Sequence, residues 1–76
     1  MEYLKGRLFI NSLGRYQIQG TSYYFTSGDY VEFFDEDSLE WLIGRIEHHF
    51  GNGYYFLCSN KKIFNLDNHI AKVPTE

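Results

Sequence analysis

The sequence predicts an all-β domain of six or seven short strands, closed into a small barrel or a strongly bent meander. Three observations predict it. No stretch of ten or more residues holds apolar side chains at three- and four-residue spacing without a glycine or an aromatic or β-branched cluster breaking the pattern, which removes helices. Clusters of Gly, Asn, Ser and Asp recur roughly every eight to twelve residues, the rhythm of turns in small β folds. Aromatic residues make up 20% of the chain, as seven Tyr, seven Phe and one Trp, and such rings suit a half-buried pleated surface.

The elements follow in order. Leu4 to Ile10 reads as a first strand, ended by Asn11-Ser12-Leu13-Gly14, whose residues tolerate positive φ. Arg15 to Gln19 alternates, with Tyr16 and Ile18 on one face and polar residues on the other. Gly20-Thr21-Ser22 turns the chain, Tyr23 to Phe25 is extended, and Ser27-Gly28-Asp29 breaks it before the strand Tyr30 to Phe34. Asp35-Glu36-Asp37-Ser38 caps the connection to the longest strand, Leu39 to Phe50. Gly51-Asn52-Gly53 carries the strongest turn signal, because Asn-Gly fits a type I′ hairpin. With Asn52 and Gly53 as its central pair, Phe50 faces Tyr55, His48 faces Leu57 and Ile46 lies on the same side, leaving His49, Glu47 and Arg45 on the other face with Phe56 and Cys58. Ser59 to Lys62 is a further turn, Ile63 to Leu66 a short strand, Asp67-Asn68 a turn, and His69 to Val73 the last strand before Pro74. Closure into a barrel removes the adhesive edges of a small open sheet.

With 76 residues, residues 1–76 form one domain, and nothing is left for a second. A domain this small buries only about 60% of the surface of its unfolded chain, so large side chains, a staple or self-association must supply stability. Fifteen rings exceed what one such core holds, and surplus exposed aromatics point to an interface; a homodimer or a larger protein partner is expected. The one cysteine, Cys58, excludes an internal disulfide and reads as a small buried apolar residue. Charges interrupt the apolar content of the first residues every two or three positions, unlike a signal peptide. The longest apolar run, Tyr54 to Cys58, is too short to span a bilayer. A cytoplasmic protein without membrane association is expected.

Net charge is −3 and unevenly spread. Residues 29–47 hold Asp29, Glu32, Asp35, Glu36, Asp37, Glu40 and Glu47 against Arg45, a net −6, while residues 1–28 carry +2 and residues 48–76 carry +1. Seven Lys and Arg around an acidic centre make a poor non-specific binder of nucleic acid. His48 and His49 are adjacent, so on a strand they point to opposite faces, and His69 lies far along the chain; no metal site and no cofactor are expected. The acidic turn lacks the glycine and the spacing of an EF-hand loop. Carboxylates are present without a nucleophile, base and orienting group beside them, so no catalytic residue is assigned and the protein is read as non-enzymatic.

Gly28-Asp29-Tyr30-Val31-Glu32, then Trp41-Leu42-Ile43-Gly44-Arg45-Ile46-Glu47, then Gly53-Tyr54-Tyr55-Phe56-Leu57 together resemble the SH3-like barrels of the Tudor type. With Gly14-Arg15-Tyr16, the same order is similar to a family of small bacterial domains of unknown function found in Gram-positive genomes, often on phages and mobile elements. The resemblance spans residues 6–60 and implies an SH3-like barrel of five to seven short antiparallel strands, with no assigned chemistry. A Tudor-type cage would draw on Trp41, Tyr30 and Phe34 with Asp35, Glu36 or Asp37 as the anion. The leading functional expectation is a phage or mobile-element accessory module that binds protein through Tyr30, Phe34, Asp35, Glu36, Asp37, Glu40 and Trp41. Its carboxylates would meet a basic site of a host protein, where phosphates would otherwise sit, making it a candidate DNA mimic. The competing expectation is an aromatic platform, helped by Lys5, Arg7, Arg15, Lys61 and Lys62, that holds single-stranded nucleic acid or a small cationic or nucleotide ligand.

Overall fold

Short alternating segments parted by turn residues pair into a single antiparallel sheet. The computed structural model describes residues 2–75. Its strands are β1 (Tyr3–Ile10), β2 (Tyr16–Ile18), β3 (Tyr30–Asp35), β4 (Glu40–His49), β5 (Gly53–Cys58), β6 (Lys61–Ile63) and β7 (Ile70–Pro74). They lie in the order β2-β1-β7-β3-β4-β5-β6. β3 to β6 form a meander, whereas β7 inserts between β1 and β3 and so pairs the first strand with the last inside the sheet. The β1–β7 ladder runs from Tyr3 opposite Pro74 to Arg7 opposite Ile70. The described residues contain no helix, hence none long and apolar enough to cross a membrane.

The all-β expectation holds, but the hydrogen-bonded ladder does not close into a barrel. β2 and β6 end the sheet and do not pair with each other. The free edge of β2 is instead taken by residues 23–25, where Ile18 N–H donates to the Tyr23 carbonyl at 3.0 Å and Phe25 N–H to the Tyr16 carbonyl at 2.9 Å. The gap is crossed by the β6–β7 connection, whose Leu66 is buried and donates its N–H to Tyr16 Oη at 3.0 Å. A side-chain hydroxyl and a plugging leucine thus replace a barrel's last ladder, and burial raises the Tyr16 phenol above its ordinary pKa. At the other end β6 carries Lys61 and Lys62, charges that keep a short edge strand from pairing with another chain.

Two register expectations are corrected. Around the Asn-Gly signal, His49 pairs with Gly53, Ile46 with Phe56 and Arg45 with Leu57, so the tight turn is His49 to Asn52, closed by Asn52 N–H to the His49 carbonyl at 2.9 Å. Gly51, with φ 93°, takes the third position, as a type II turn requires. Ile46 and Phe56 are both fully buried, and placing them side by side on the core face outweighs the local preference for Asn-Gly at the centre. Further on, the chain turns at Ser59-Asn60 alone, so that Cys58 pairs with Lys61 and the strand is Lys61–Ile63 rather than Ile63 to Leu66.

The core is built from inward-pointing residues of every strand but β6, joined by two connections. Leu8, Tyr16, Ile18, Phe25, Val31, Phe33, Ile46, Phe56, Leu66, Ala71 and Val73 form one buried cluster. Phe33 and Phe56 stack at its centre, with ring centroids 4.8 Å apart and planes at 21°. That cluster takes four of the aromatic rings, with Tyr23 and Tyr54 packed at its margin. A further group of rings lies on the opposite face of the sheet.

Candidate functional site

The period-2 alternation that sends Val31 and Phe33 inward sends Tyr30, Glu32 and Phe34 outward. Register then sets their neighbours: Tyr30 opposite Arg45, Glu32 opposite Ile43, and Phe34 opposite Trp41. On the other side Glu32 faces Lys72 of β7, which in turn faces Lys5 of β1. The outer faces of β1, β7, β3 and β4 therefore make one surface, with Trp41 37% and Ile43 61% exposed and Tyr3 and Tyr30 similarly open. Phe34 and Trp41 meet edge to face at 5.2 Å.

At the centre of this surface lies an ion pair roofed by rings. The Lys72 ammonium sits 4.1 Å from the Trp41 ring centroid and 4.6 Å from that of Tyr3, a double cation–π arrangement. Glu32 Oε1 is 3.9 Å from Lys72 Nζ. The other oxygen of that carboxylate accepts the Tyr30 hydroxyl at 2.9 Å, and this hydrogen bond holds the Tyr30 phenol above its ordinary pKa. The side chains of Lys72 and Glu32 are only 21% and 12% exposed although both stand on an outer face. Trp41, Tyr30 and Phe34, named from sequence as cage residues, thus do share a surface. The anion paired with the cation over the Trp41 ring is Glu32 rather than a residue of the acidic turn, and the cation comes from the chain itself.

The acidic turn divides in two. Asp35 is 6% exposed and supports the turn from within: its Oδ1 accepts Asp37 N–H at 3.1 Å, and its Oδ2 accepts Ser38 Oγ and Lys61 Nζ, each at 3.0 Å. Glu36, Asp37 and Glu40 are exposed at the end of the β3–β4 ladder, where Glu40 stands opposite Asp35 and precedes Trp41 in the chain. Glu36 lies 3.8 Å from Arg7, an exposed pair that contributes at most about 1 kcal/mol. Folding therefore brings the basic flanks back onto the acidic segment, through Arg7 to Glu36, Lys61 to Asp35 and Lys72 to Glu32. Arg45 pairs with Glu47 within the segment.

These contacts set an acid limit. The Lys61 hydrogen bond, followed by that of Ser38, holds Asp35 below the usual carboxylate range, and Arg45 does the same for Glu47. A carboxylate depressed in the folded state contributes stability that is complete above its unfolded value, about 4, and is lost as pH falls through the folded value. Thermal melts are expected to show a midpoint that drops as pH is lowered from about 5 to 3, with a shallower drop for Asp35→Asn. Equal slopes for the two proteins would show that the Asp35 contacts do not form.

Comparison with known families matches residues 6–73 to a domain of unknown function, DUF5348. The chain belongs to the DUF5348 family. The expectation of an uncharacterised small domain family is met at that level, and the match extends past residue 60 through Val73, covering all of β7 but Pro74 and with it Lys72. No curated protein and no solved structure matches the chain.

In this DUF5348 domain, Tyr3, Glu32 and Lys72 are the surface residues that inspection of the sequence overlooks. Tyr3 and Lys72 lie at opposite ends of the chain, and only the β1–β7 ladder joins them. Glu32 carries a readable signal, since alternation from the buried Val31 and Phe33 places it outward between two aromatic residues. Of the histidines, His48 and His49 are exposed at the β4–β5 hairpin, with His48 edge-on to Tyr54 at 4.7 Å. His69 packs on Phe33 at 5.1 Å, and its Nδ1 is buried without a hydrogen-bond partner.

Proposed function

We propose that this domain is a small non-enzymatic protein-binding module, of phage or mobile-element origin as its resemblances imply. It docks the outer face of its sheet, with Glu36, Asp37 and Glu40 along one end, on a basic site of a host protein. The observation that carries this reading is the joint exposure of Trp41, Ile43, Tyr30 and Tyr3 on one continuous face, an aromatic-rich surface of the kind that forms the centre of protein interfaces. Asp35 belongs to the scaffold of that surface, since Lys61 and the turn already engage its oxygens. The cations of the face speak for a protein over a phosphate backbone, because Arg7, Arg45 and Lys72 each have a carboxylate partner, and Lys5 alone leaves little positive charge to displace counterions.

The test joins two measurements. Immobilised protein is expected to retain a basic host protein that elutes with salt, and the variants Ile43→Glu and Glu36→Lys/Asp37→Lys/Glu40→Lys are each expected to lose at least about 90% of it, since a tenfold loss needs only about 1.4 kcal/mol. Equal retention by the charge-reversed variant would sink the acidic contribution, and equal retention by Ile43→Glu the face itself. Light scattering of the free protein separates a self-partner from a host partner: a dimer that Ile43→Glu dissociates assigns the face to a second copy.

A further inference from the structure

We infer that the cleft between Tyr3 and Trp41 is a guanidinium site, filled by Lys72 in the free protein and taken over by an arginine of the docking partner. This deepens the protein-binding reading by naming the group that the face recognises, and it rests on that reading for the source of the arginine.

The cleft has the parts such a site needs. Two rings from β1 and β4 flank a position that a cation occupies, at 4.6 and 4.1 Å from their centroids. One carboxylate, Glu32, stands beside it, and the Tyr30 hydroxyl fixes that carboxylate's orientation at 2.9 Å. Lys72 shows that an alkyl cation is accepted there, while its own hold is loose. Its only carboxylate contact among the described residues is 3.9 Å long, beyond hydrogen-bond reach, so none of its three N–H donors is met by Glu32. Lys5 lies directly opposite it in the β1–β7 ladder, and like charges in that relation repel.

A guanidinium suits the same place better. It is planar, so it stacks against aromatic faces, and its fork of donors matches a carboxylate with two parallel hydrogen bonds. It is also more weakly hydrated than an ammonium, so entering a half-buried cleft costs it less. Lys72 is already 21% exposed, and its flexible stem carries the ammonium out to water when the cleft is taken. The tether gives the resident lysine an effective concentration in the millimolar range, so a free arginine competes poorly, and an arginine already held nearby by the rest of an interface competes well.

Trp41 is the chain's single tryptophan, so its fluorescence reports on one place in the fold, and the Tyr3 and Glu32 variants tie the signal to this cleft. The probe is N-acetyl-arginine amide, with N-acetyl-glycine amide and sodium chloride as controls. Lys72→Ala is expected to give a saturable change with a Kd of a few millimolar, at least about tenfold tighter than the intact protein, the tenfold corresponding to about 1.4 kcal/mol. Tyr3→Ala or Glu32→Gln added to Lys72→Ala is expected to weaken it about tenfold again. Lys72→Arg, which keeps a guanidinium in place from within, is expected to abolish the response; if Lys72→Ala does not fold, this variant against the intact protein at high probe concentration still decides. No saturable response in Lys72→Ala, a response equalled by the controls, or one as strong in Lys72→Arg as in the intact protein would overturn the inference. Because the probe is a free arginine derivative, that failure leaves the docking face to be judged by its own retention assay.

Discussion

Gly44→Ala is expected to destabilise the domain by about 3 kcal/mol or more, the upper end of what overpacking costs. A methyl group on Gly44 would stand 2.2 Å from the Leu57 carbonyl oxygen and 3.0 Å from both the Leu57 carbonyl carbon and Phe56 Cε1. The obstacle is backbone, so no side-chain rotation relieves it, and shifting β5 outward breaks the ladder in which Arg45 faces Leu57 and Ile46 faces Phe56. Gly44 needs no left-handed conformation; it is required for the space it leaves. A domain of this length has a total stability of about 4–11 kcal/mol, so the loss takes a large share of it and urea denaturation reads it directly. Ile43→Ala, one residue away on the exposed face, provides the control, with an expected change within about 0.5 kcal/mol. A Gly44→Ala midpoint close to that of Ile43→Ala would mean that β4 and β5 do not approach as described.

Phe56→Ala is expected to cost about 3–5 kcal/mol, the range for removing a large buried ring. Phe56 is fully buried, stacks on Phe33 and lies between Ile46 and Ile63 across two ladders. The stacked pair adds about 0.5–1.5 kcal/mol beyond buried area. Phe50→Ala is the informative companion, because Phe50 is 94% exposed at the hairpin turn and its loss is expected to leave the urea midpoint unchanged. In sequence the two phenylalanines look alike, each ending or following an aromatic run beside the Gly-Asn-Gly turn. A costly Phe50→Ala with a harmless Phe56→Ala would restore the Asn-Gly-centred register, in which the core face of β5 is inverted.

That hairpin shows how far local signals reach. Gly51-Asn52-Gly53 marks the place of the turn correctly, since positive φ is needed there and few other residues supply it cheaply. The register is set by which side chains the turn allows to meet. Ile46 and Phe56 must share the inner face, and their burial is worth several times the difference between two turn types. The same competition explains Asp35. As one of four polar residues in a row it reads as part of a solvated turn, yet the alternation of Val31 and Phe33 carries its side chain inward, where Lys61, distant in sequence, makes the burial tolerable. The candidate surface was legible in part for the same reason. Tyr30, Phe34 and Trp41 lie on adjacent strands of a meander, so their neighbourhood follows from one hairpin, whereas Tyr3 and Lys72 join them only because β7 inserts between β1 and β3.

By itself, then, the sequence determined that the chain is all-β, where most of its turns fall, and that its aromatic content exceeds the needs of one core. These properties are local or compositional: alternation, positive-φ residues and counts of rings. Only the tertiary structure decided that the sheet stays open between β2 and β6, that Asp35 turns inward, and that surplus rings roof the pair of Glu32 and Lys72. Each of those depends on contacts between segments far apart in the chain. Their partners are chosen by shared burial and charge after the strands have found their order, and no local pattern records that choice.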